Sequence, residues 1–306
     1  MMNWTQALAG FRAYMVLERS LSDLSAEAYE CDIRKLQQYL EIHSPVTGPT
    51  DVTTAQLSGM ILFVNELGLA ASSQARLVSG VRAFFKYLLI EDLIKLSPAE
   101  ALDLPRLQRK LPDVLGFEDI ETLLSVIDLS APHGLRNRAM LEVLYASGLR
   151  ASELCGLRLE DLFLKENFLR VIGKNNKERI VPIGDEAIKH LVFYIQGVRR
   201  HLIIEKAHQP FVFLSKSGKK LTRITVFTLV KTLAKLAGIT QNVSPHTFRH
   251  SFATHLMEGG ADLRVVQDLL GHESIQTTEI YTHLDMGYLR ETILSFHPRN
   301  RTVGRK

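Results

Sequence analysis

Three prolines at regular intervals, Pro98, Pro105 and Pro112, interrupt the helical pattern of the chain. Each proline lacks a backbone donor and biases the residue before it toward extended geometry, so no regular helix runs through this stretch. Before it, apolar residues recur at helical spacing without strand alternation, and after it helical runs are mixed with short β-rich runs. The pattern predicts a mainly α protein with a small β-sheet. The predicted division is a helical domain at 1–95, a basic linker at 96–112 and a second domain at 113–306.

Composition narrows the class of protein. Of the 306 residues, 46% are hydrophobic and 23% are charged, which excludes a mainly disordered chain, a collagen-like repeat and a disulfide scaffold. No apolar stretch is long enough to span a bilayer, and acidic Glu18 and Asp23 stand where a signal peptide needs a basic start and an apolar run. Cys31 and Cys155 lie far apart in the sequence and are expected to be buried thiols rather than a disulfide or metal framework. We expect a soluble protein in a reducing cytoplasm, with no membrane partner.

The charge of the chain is unevenly distributed. The first 110 residues hold 11 Lys and Arg against 12 Asp and Glu, whereas the whole chain has a net charge of +4, so the excess lies in the second part. A basic half suggests a polyanionic partner such as DNA. Arg76, Arg82 and Lys86 recur at helical spacing within 72–90 and could reach phosphates together, although a solvated charged face explains them equally well. Arg106 in the linker is a further candidate for DNA binding.

A hairpin is predicted in the second part. The β-rich runs 168–172 and 179–183 flank a Gly-Lys-Asn-Asn-Lys turn, and Gly and Asn tolerate the positive φ values of tight turns. The turn carries Lys174 at its tip and ends at Lys177. A lysine at a hairpin tip is usually only solvated, but it can also enter a DNA groove, and we include Lys177 among the candidate DNA-binding residues.

Two arginines lie in distinctive local patterns. Arg150 follows Gly148 and opens a helix in which Glu153 comes one turn later, so the carboxylate can orient the guanidinium. An ordinary helix-surface ion pair is the competing and simpler explanation of these two residues. Arg249 follows His246 by three residues, on the same face of a helix that starts after Ser244 and Pro245.

His246 and His250 also have the i, i+4 spacing of a zinc pair. No nearby residue supplies a compelling third ligand, and the Glu of a zinc protease helix is missing. A hydrogen-bonding and cationic pair of His246 and Arg249 therefore fits better than a metal site, and we predict no metal.

Two more candidates lie further along the chain. Asp262 is positioned to cap a helix that ends at Gly271. This helix end would project His272 from the terminus, and Tyr281 follows nine residues later. Arginines that bind non-bridging oxygens, an acid for the leaving oxygen and a tyrosine nucleophile are what metal-free phosphoryl transfer on a phosphodiester requires. Each residue is ambiguous alone, but together they indicate this chemistry.

These motifs occur together and in order, and the set resembles the tyrosine recombinase (phage integrase) family, particularly its Xer-type site-specific recombinases. The motifs are Arg150 in Gly-Leu-Arg-x-Ser-Glu-Leu, Lys174 in Gly-Lys-x-Asn-Lys-Glu-Arg, His246-x-x-Arg249-His250, Leu270-Gly271-His272 and Tyr281-Thr282-His283. The resemblance covers nearly the whole chain. One departure is Asn175, where Xer proteins commonly have Gly.

The resemblance implies a SAM-like core-binding domain and a mixed α/β catalytic domain that close around DNA as a C-shaped clamp. Tyr281 would be the nucleophile that forms a 3′-phosphotyrosyl bond and frees a 5′-hydroxyl. The implied roles of the other residues are phosphate binding by Arg150 and Arg249, assistance by His272, general acid catalysis by Lys174, acid–base catalysis or phosphate contact by His246, and orientation of Arg150 by Glu153.

The same resemblance implies the partners. Four protomers, identical or of two kinds, would act on a double-stranded recombination site without a cofactor, with a second Xer recombinase and a DNA translocase as candidate partners. Resolution of chromosome dimers at cell division is the leading role, and a phage or mobile-element integrase or a non-cleaving DNA-binding protein are the alternatives. An apolar tail with Leu289, Ile293, Leu294 and Phe296 could dock on a neighbouring protomer or pack on its own domain.

Overall fold

The computed structural model of the chain describes residues 2–45, 47–103, 114–173, 176–271 and 283–301. The chain divides into two compact units, Met1–Lys110 and Leu111–Lys306. Within the described ranges, no helix is both long enough and apolar enough to cross a membrane.

In the described part of the first unit, all regular secondary structure is helical. Its helices are α1 Trp4–Ala13, α2 Asp23–His43, α3 Thr54–Glu66 and α4 Ala71–Ile90, and a π-helical turn at Tyr14–Glu18 extends α1. Polar side chains cap three of these helices, because the Asn3, Ser22 and Thr53 oxygens accept hydrogen bonds from first-turn backbone N–H groups.

The core of the first unit forms where α2 packs against α4. Phe84 is fully buried and makes an edge contact with Phe11, with ring centroids 5.3 Å apart. Ala99 and Leu102 from the predicted linker also belong to this core, so the chain stays packed on the helical unit beyond Ile90. Cys31 is exposed on α2, so the prediction of a buried thiol was wrong there, whereas Cys155 in the second unit is buried.

The second unit combines helices with one small antiparallel sheet. Its helices are α5 Phe117–Ser125, α6 Gly134–Ser147, α7 Ala151–Gly156, α8 Asp185–Gly197, α9 Arg223–Leu236, α10 Pro245–Gly259, α11 Leu263–Leu270, α12 His283–Phe296 and α13 Pro298–Arg301. Its strands are β1 Leu162–Phe163, β2 Phe168–Ile172 and β3 Glu178–Pro182, in the order β1-β2-β3. The predicted mainly α fold with a small sheet is confirmed, and β1 adds a strand that sequence reasoning missed.

The register of the sheet determines which side chains of the hairpin face inward. Val171 on β2 pairs with Arg179 on β3, and Gly173 N–H donates to the Lys177 carbonyl at 2.7 Å to close the hairpin. Along β3, Arg179 and Val181 are buried, with the less buried Ile180 between them. An arginine therefore occupies an inward-facing position of the sheet.

The C-terminal helices pack on their own unit. Leu289 and Ile293 of α12 are 6% and 2% exposed, and they share a cluster with Phe252 and Leu256 of α10. The Arg299 side chain bonds to the buried carboxylate of Glu142. Of the two alternatives for the apolar tail, packing on its own unit is therefore the one that Leu289 and Ile293 show. Phe296 also packs against this cluster. Leu294, the remaining apolar residue of the tail, is 40% exposed and points away from the cluster.

Candidate active site

Arg150 is held at the junction of two helices. Gly148 ends α6 with a left-handed φ of 56°, a conformation that glycine adopts without strain, and Arg150 is the N-cap residue of α7. The Glu153 carboxylate accepts from both the Arg150 backbone N–H and its Nη1, each at 2.8 Å. The Arg150 side chain remains 35% exposed. Its guanidinium is thus oriented by Glu153, as the sequence predicted, and still reachable by a ligand.

Glu153 is a buried carboxylate shared by several cations. Its side chain is 2% exposed, and Arg179 donates from Nη1 to Oε1 at 2.9 Å and from Nη2 to Oε2 at 2.8 Å. Burial by itself would raise the pKa of Glu153, but the hydrogen bonds and charge of Arg179, followed by those of Arg150, outweigh it and hold that pKa below its ordinary value. Glu153 is therefore ionised at neutral pH.

Arg249 reaches the same carboxylate from α10. Its Nη1 lies 3.9 Å from the Glu153 carboxylate and donates to the Gly148 carbonyl at 2.8 Å. Its Nη2 donates to the Leu270 carbonyl at 2.6 Å. Burial, together with the positive charges of Arg150 and Arg179, lowers the pKa of Arg249 to about 10. The residue is still cationic at neutral pH.

The charges at this cluster do not cancel among the described residues. Three guanidinium groups surround the Glu153 carboxylate, with side-chain exposures of 35% for Arg150, 10% for Arg249 and 7% for Arg179. A buried excess of positive charge is costly unless an anion compensates it, and planar guanidinium groups match phosphate oxygens. The cluster therefore favours an anion that approaches from the side of Arg150.

His246 and His250 are both exposed near the N-terminus of α10. The helix begins with the predicted signals, because the Ser244 side chain accepts from the Thr247 N–H and Pro245 occupies the first turn. In the part of the chain that the structure describes, no group of three His, Cys, Asp or Glu residues is arranged to hold a metal ion. His255, further along α10, is buried and its Nδ1 lies 2.8 Å from the Tyr145 hydroxyl, so it belongs to the core.

Three of the predicted catalytic residues, Lys174, His272 and Tyr281, lie outside the described residues. The elements that lead to two of them are described. Strands β2 and β3 end and begin on either side of Lys174 in the sequence. Helix α11 ends at Leu270, and Gly271 is its C-cap with a left-handed φ of 64°. Asp262 caps α11 by accepting from the Arg264 N–H, as the sequence predicted.

The predicted DNA-binding cations differ in their surroundings. Arg76 donates to the buried Asp32 at 2.7 Å, and the Arg82 side chain donates to the Leu102 carbonyl, so both serve contacts within the first unit. Lys86 is exposed on α4, Lys177 closes the hairpin through its carbonyl, and Arg106 lies outside the described residues. The Arg76 guanidinium pairs with α2 and remains 42% exposed, and a shared phosphate-binding face of the three α4 cations stays a prediction.

Sequence reasoning missed Arg179. The signal was present in the alternation of β3, because a charged residue in phase with Val181 faces the interior and needs a buried counter-ion. Glu153 supplies that counter-ion. The site consequently has a third arginine, on the hairpin, that neither motif spacing nor charge patterning identified.

Comparison with known proteins decides the family. The phage integrase family profile matches residues 113–287, and the profile of the phage integrase N-terminal SAM-like domain matches residues 8–92. The chain belongs to the phage integrase family. Within this family it is similar to the tyrosine recombinase XerD of Listeria monocytogenes serotype 4b (strain F2365), with 42% identity over 94% of this chain and 97% of the relative. It is equally similar to the tyrosine recombinase XerD of Chlorobaculum tepidum, with 42% identity over 97% of each chain.

A solved structure of the family agrees with the fold. The XerH site-specific recombinase, bound to a palindromic difH substrate in a post-cleavage complex, has a TM-score of 0.68 and 24% identity, over 90% of this chain and 81% of that one. At that identity the likeness concerns the fold alone. It agrees with a helical domain followed by a mixed α/β domain, and the two family profiles assign these as the SAM-like and phage integrase domains.

Proposed function

We propose that this chain is a site-specific DNA recombinase that cuts and rejoins DNA through a 3′-phosphotyrosyl intermediate. The observation that carries the proposal is the cluster in which Arg150 and Arg249 converge on the ionised Glu153 with net positive charge. Such a cluster suits a phosphodiester whose transition state gains negative charge on its non-bridging oxygens. Membership of the phage integrase family supports the same conclusion.

In the proposed reaction, the Tyr281 hydroxyl oxygen attacks the scissile phosphorus and its proton passes to a nearby base, with His246 in that role. A bond forms between the tyrosine oxygen and the DNA 3′-phosphate, and the bond from phosphorus to the 5′-oxygen breaks. Lys174 gives the leaving 5′-oxygen a proton, which yields a 5′-hydroxyl. Arg150 and Arg249 hold the phosphate, and His272 assists them.

The second half of the proposed reaction is the reverse of the first with a different strand. A 5′-hydroxyl of the partner duplex gives its proton to Lys174 and its oxygen attacks the phosphotyrosyl phosphorus. The bond from phosphorus to the Tyr281 oxygen breaks, and His246 returns a proton to that oxygen, which releases Tyr281 and rejoins the DNA. The covalent intermediate conserves the energy of the broken phosphodiester, so the exchange needs no nucleotide hydrolysis. Both halves require the same arginines, because the charge on the phosphate is the same in each direction.

The proposed biological role is the resolution of chromosome dimers at cell division. It is supported by relatives called tyrosine recombinase XerD at about 40% identity over nearly the full chain. The proposed partners are a double-stranded recombination site and three further protomers, of the same or a second Xer recombinase, with a DNA translocase as activator. The proposal locates the chain in the cytoplasm, together with its DNA substrate. A phage or mobile-element integrase is the alternative within the family.

Covalent trapping tests the proposal. The protein is incubated, in the presence of EDTA, with nicked suicide substrates that carry candidate recombination sites, alone and with a second recombinase. The proposal predicts a protein–DNA band on a denaturing gel that disappears in the Tyr281→Phe variant. Site-specific binding without a trapped band, even with the second recombinase present, would instead support a non-cleaving DNA-binding protein.

A further inference from the structure

Arg179 connects three parts of the candidate active site. It lies on β3, which follows Lys174 in the chain by a few residues, and is 7% exposed. It pairs with both oxygens of Glu153, and its Nε donates to the Leu269 carbonyl near the end of α11 at 3.2 Å. A single side chain therefore contacts the carboxylate that orients Arg150 and the helix that leads to His272.

We propose that Arg179 is a positioning residue for DNA strand cleavage. It balances the negative charge of the Glu153 carboxylate, so that Arg150 can turn to the scissile phosphate, and it fixes the end of α11. The inference rests on the proposed function, because it concerns the same phosphate-binding arginines. Arg179 itself is too deeply buried to be the group that first meets DNA.

The argument from charge begins with Glu153. In a buried site a carboxylate binds strongly to whatever cation remains within reach. Arg150 contacts Glu153 at 2.8 Å, whereas Arg249 lies 3.9 Å away and bonds to two backbone carbonyls. Without Arg179, Arg150 becomes the principal counter-ion of Glu153. The phosphate then competes with Glu153 for the Arg150 guanidinium.

The argument from packing concerns the end of α11. The last carbonyls of a helix lack partners within the helix and carry partial negative charge. Arg179 donates to the Leu269 carbonyl and Arg249 to the Leu270 carbonyl, so two arginines hold successive carbonyls of this terminus. Gly271 lies directly against Arg179, because a Cβ atom there would come within 2.9 Å of the Arg179 Cδ. The position of α11 thus depends on the Arg179 side chain.

The experiment compares four variants of the full-length protein with the wild type: Arg179→Met, Arg179→Lys, Glu153→Gln and the double variant Arg179→Met with Glu153→Gln. Single-turnover cleavage is measured at saturating protein on a suicide substrate carrying a site that wild type cleaves, and affinity is measured on the same DNA. Arg170→Met is the matched control. Arg170 lies on β2 and pairs with Asp161, the residue just before β1. None of the bonds described for Arg170 reaches Glu153 or α11.

The expected result is a loss of about 10²-fold in cleavage rate for Arg179→Met, a size typical of misplaced catalytic groups, with affinity changed by less than about threefold. Arg179→Lys, which keeps the charge and loses the paired geometry, should fall between wild type and Arg179→Met. The double variant should cleave about tenfold faster than Arg179→Met, because the neutral amide introduced by Glu153→Gln no longer retains Arg150. Arg170→Met should cleave at the wild-type rate.

A purely structural role gives a different pattern. Removing a second member of a buried network would then slow cleavage further or leave it unchanged, so a double variant no faster than Arg179→Met overturns the proposal. Wild-type cleavage by Arg179→Met, or equal losses of affinity and rate, also overturns it. If Arg179→Met does not fold, Arg179→Lys with and without Glu153→Gln carries the same comparison. If wild type itself forms no covalent complex, the proposed function fails first, and the two failures are distinguishable.

Discussion

The guanidinium of Arg249 donates to the backbone carbonyl of Leu270 at 2.6 Å, and so joins α10 to the last residue of α11. The same side chain donates to the carbonyl of Gly148 at the end of α6. Arg249 therefore holds two helix ends in place, while its charge contributes to the arginine cluster that we propose binds the phosphate. A substitution at this position has consequences for both stability and catalysis.

Arg249→Lys should lose both functions, although the charge is kept. An ammonium group cannot reproduce the forked geometry of the two hydrogen bonds, so at least one buried carbonyl loses its partner at a cost of about 1–3 kcal/mol of unfolding free energy. Cleavage should fall by about 10²-fold or more. Urea denaturation and single-turnover trapping measure the two effects. Wild-type cleavage by this variant would show that Arg249 does not hold the phosphate.

Gly148→Ala should lower the unfolding free energy of the second unit by more than the same substitution does at an ordinary left-handed glycine. The position has φ of 56°, and a Cβ atom there would lie 2.5 Å from the Phe252 ring, so the ring or α6 must move. Backbone strain of about 1–2 kcal/mol combines with an overpacking cost of about 1–3 kcal/mol. Thermal unfolding measures the sum.

Gly238→Ala is the matched control for this substitution. Gly238 has φ of 72° and nothing within 4 Å of the added Cβ, so it reports backbone strain alone. We expect the Gly148→Ala variant to unfold at the lower temperature and to cleave more slowly, because the Gly148 carbonyl accepts from Arg249. Equal effects of the two substitutions would contradict the packing account.

His297 should make the second unit sensitive to mild acid. Burial lowers the pKa of His297 to about 3, far below its unfolded value of about 6.5. The unfolded chain therefore binds a proton that the folded chain does not, and stability falls as the pH drops below about 6.5, by at most about 1.4 kcal/mol per pH unit. His297→Gln should flatten the decline of unfolding free energy between about pH 6.5 and 5. A decline in His297→Gln as steep as in the wild type would contradict this account.

Cleavage should persist when divalent cations are removed. In the proposed mechanism the charge of the transition state is met by Arg150 and Arg249, and protons are supplied by side chains. Trapping yields with EDTA and with added Mg²⁺ should agree within about twofold. A stoichiometric metal in the purified protein, lost together with cleavage on chelation, would revive the alternative of a zinc site at His246 and His250.

Much of the local structure was predictable because it depends on short-range signals. Asp262 and Gly271 bound α11 as the capping rules indicate, and the Glu153 carboxylate orients Arg150 across one helical turn. These relationships lie within a few residues of one another, so the sequence alone contains the geometry.

The unpredicted features depend on contacts between distant segments. Arg179 and Glu153 are 26 residues apart, and their pairing exists only once the hairpin packs against α7. Cys31 lies on the exposed face of α2, since the contact with α4 is made by other positions such as Asp32, which pairs with Arg76. Leu289 could equally have served a neighbouring protomer. Its packing on α10 follows from the path of the chain, which local periodicity does not contain.

The measurement that tests the central claim most directly is the location of the covalent DNA link. Trypsin cuts after Arg264 and Arg290, so a single peptide contains both Tyr281 and the exposed Tyr288. A trapped complex is digested with nuclease and trypsin, and the modified residue is assigned by fragmentation in a mass spectrometer. Our account predicts a nucleotide joined through its 3′-phosphate to Tyr281. A link at Tyr288 or at any other residue would contradict it.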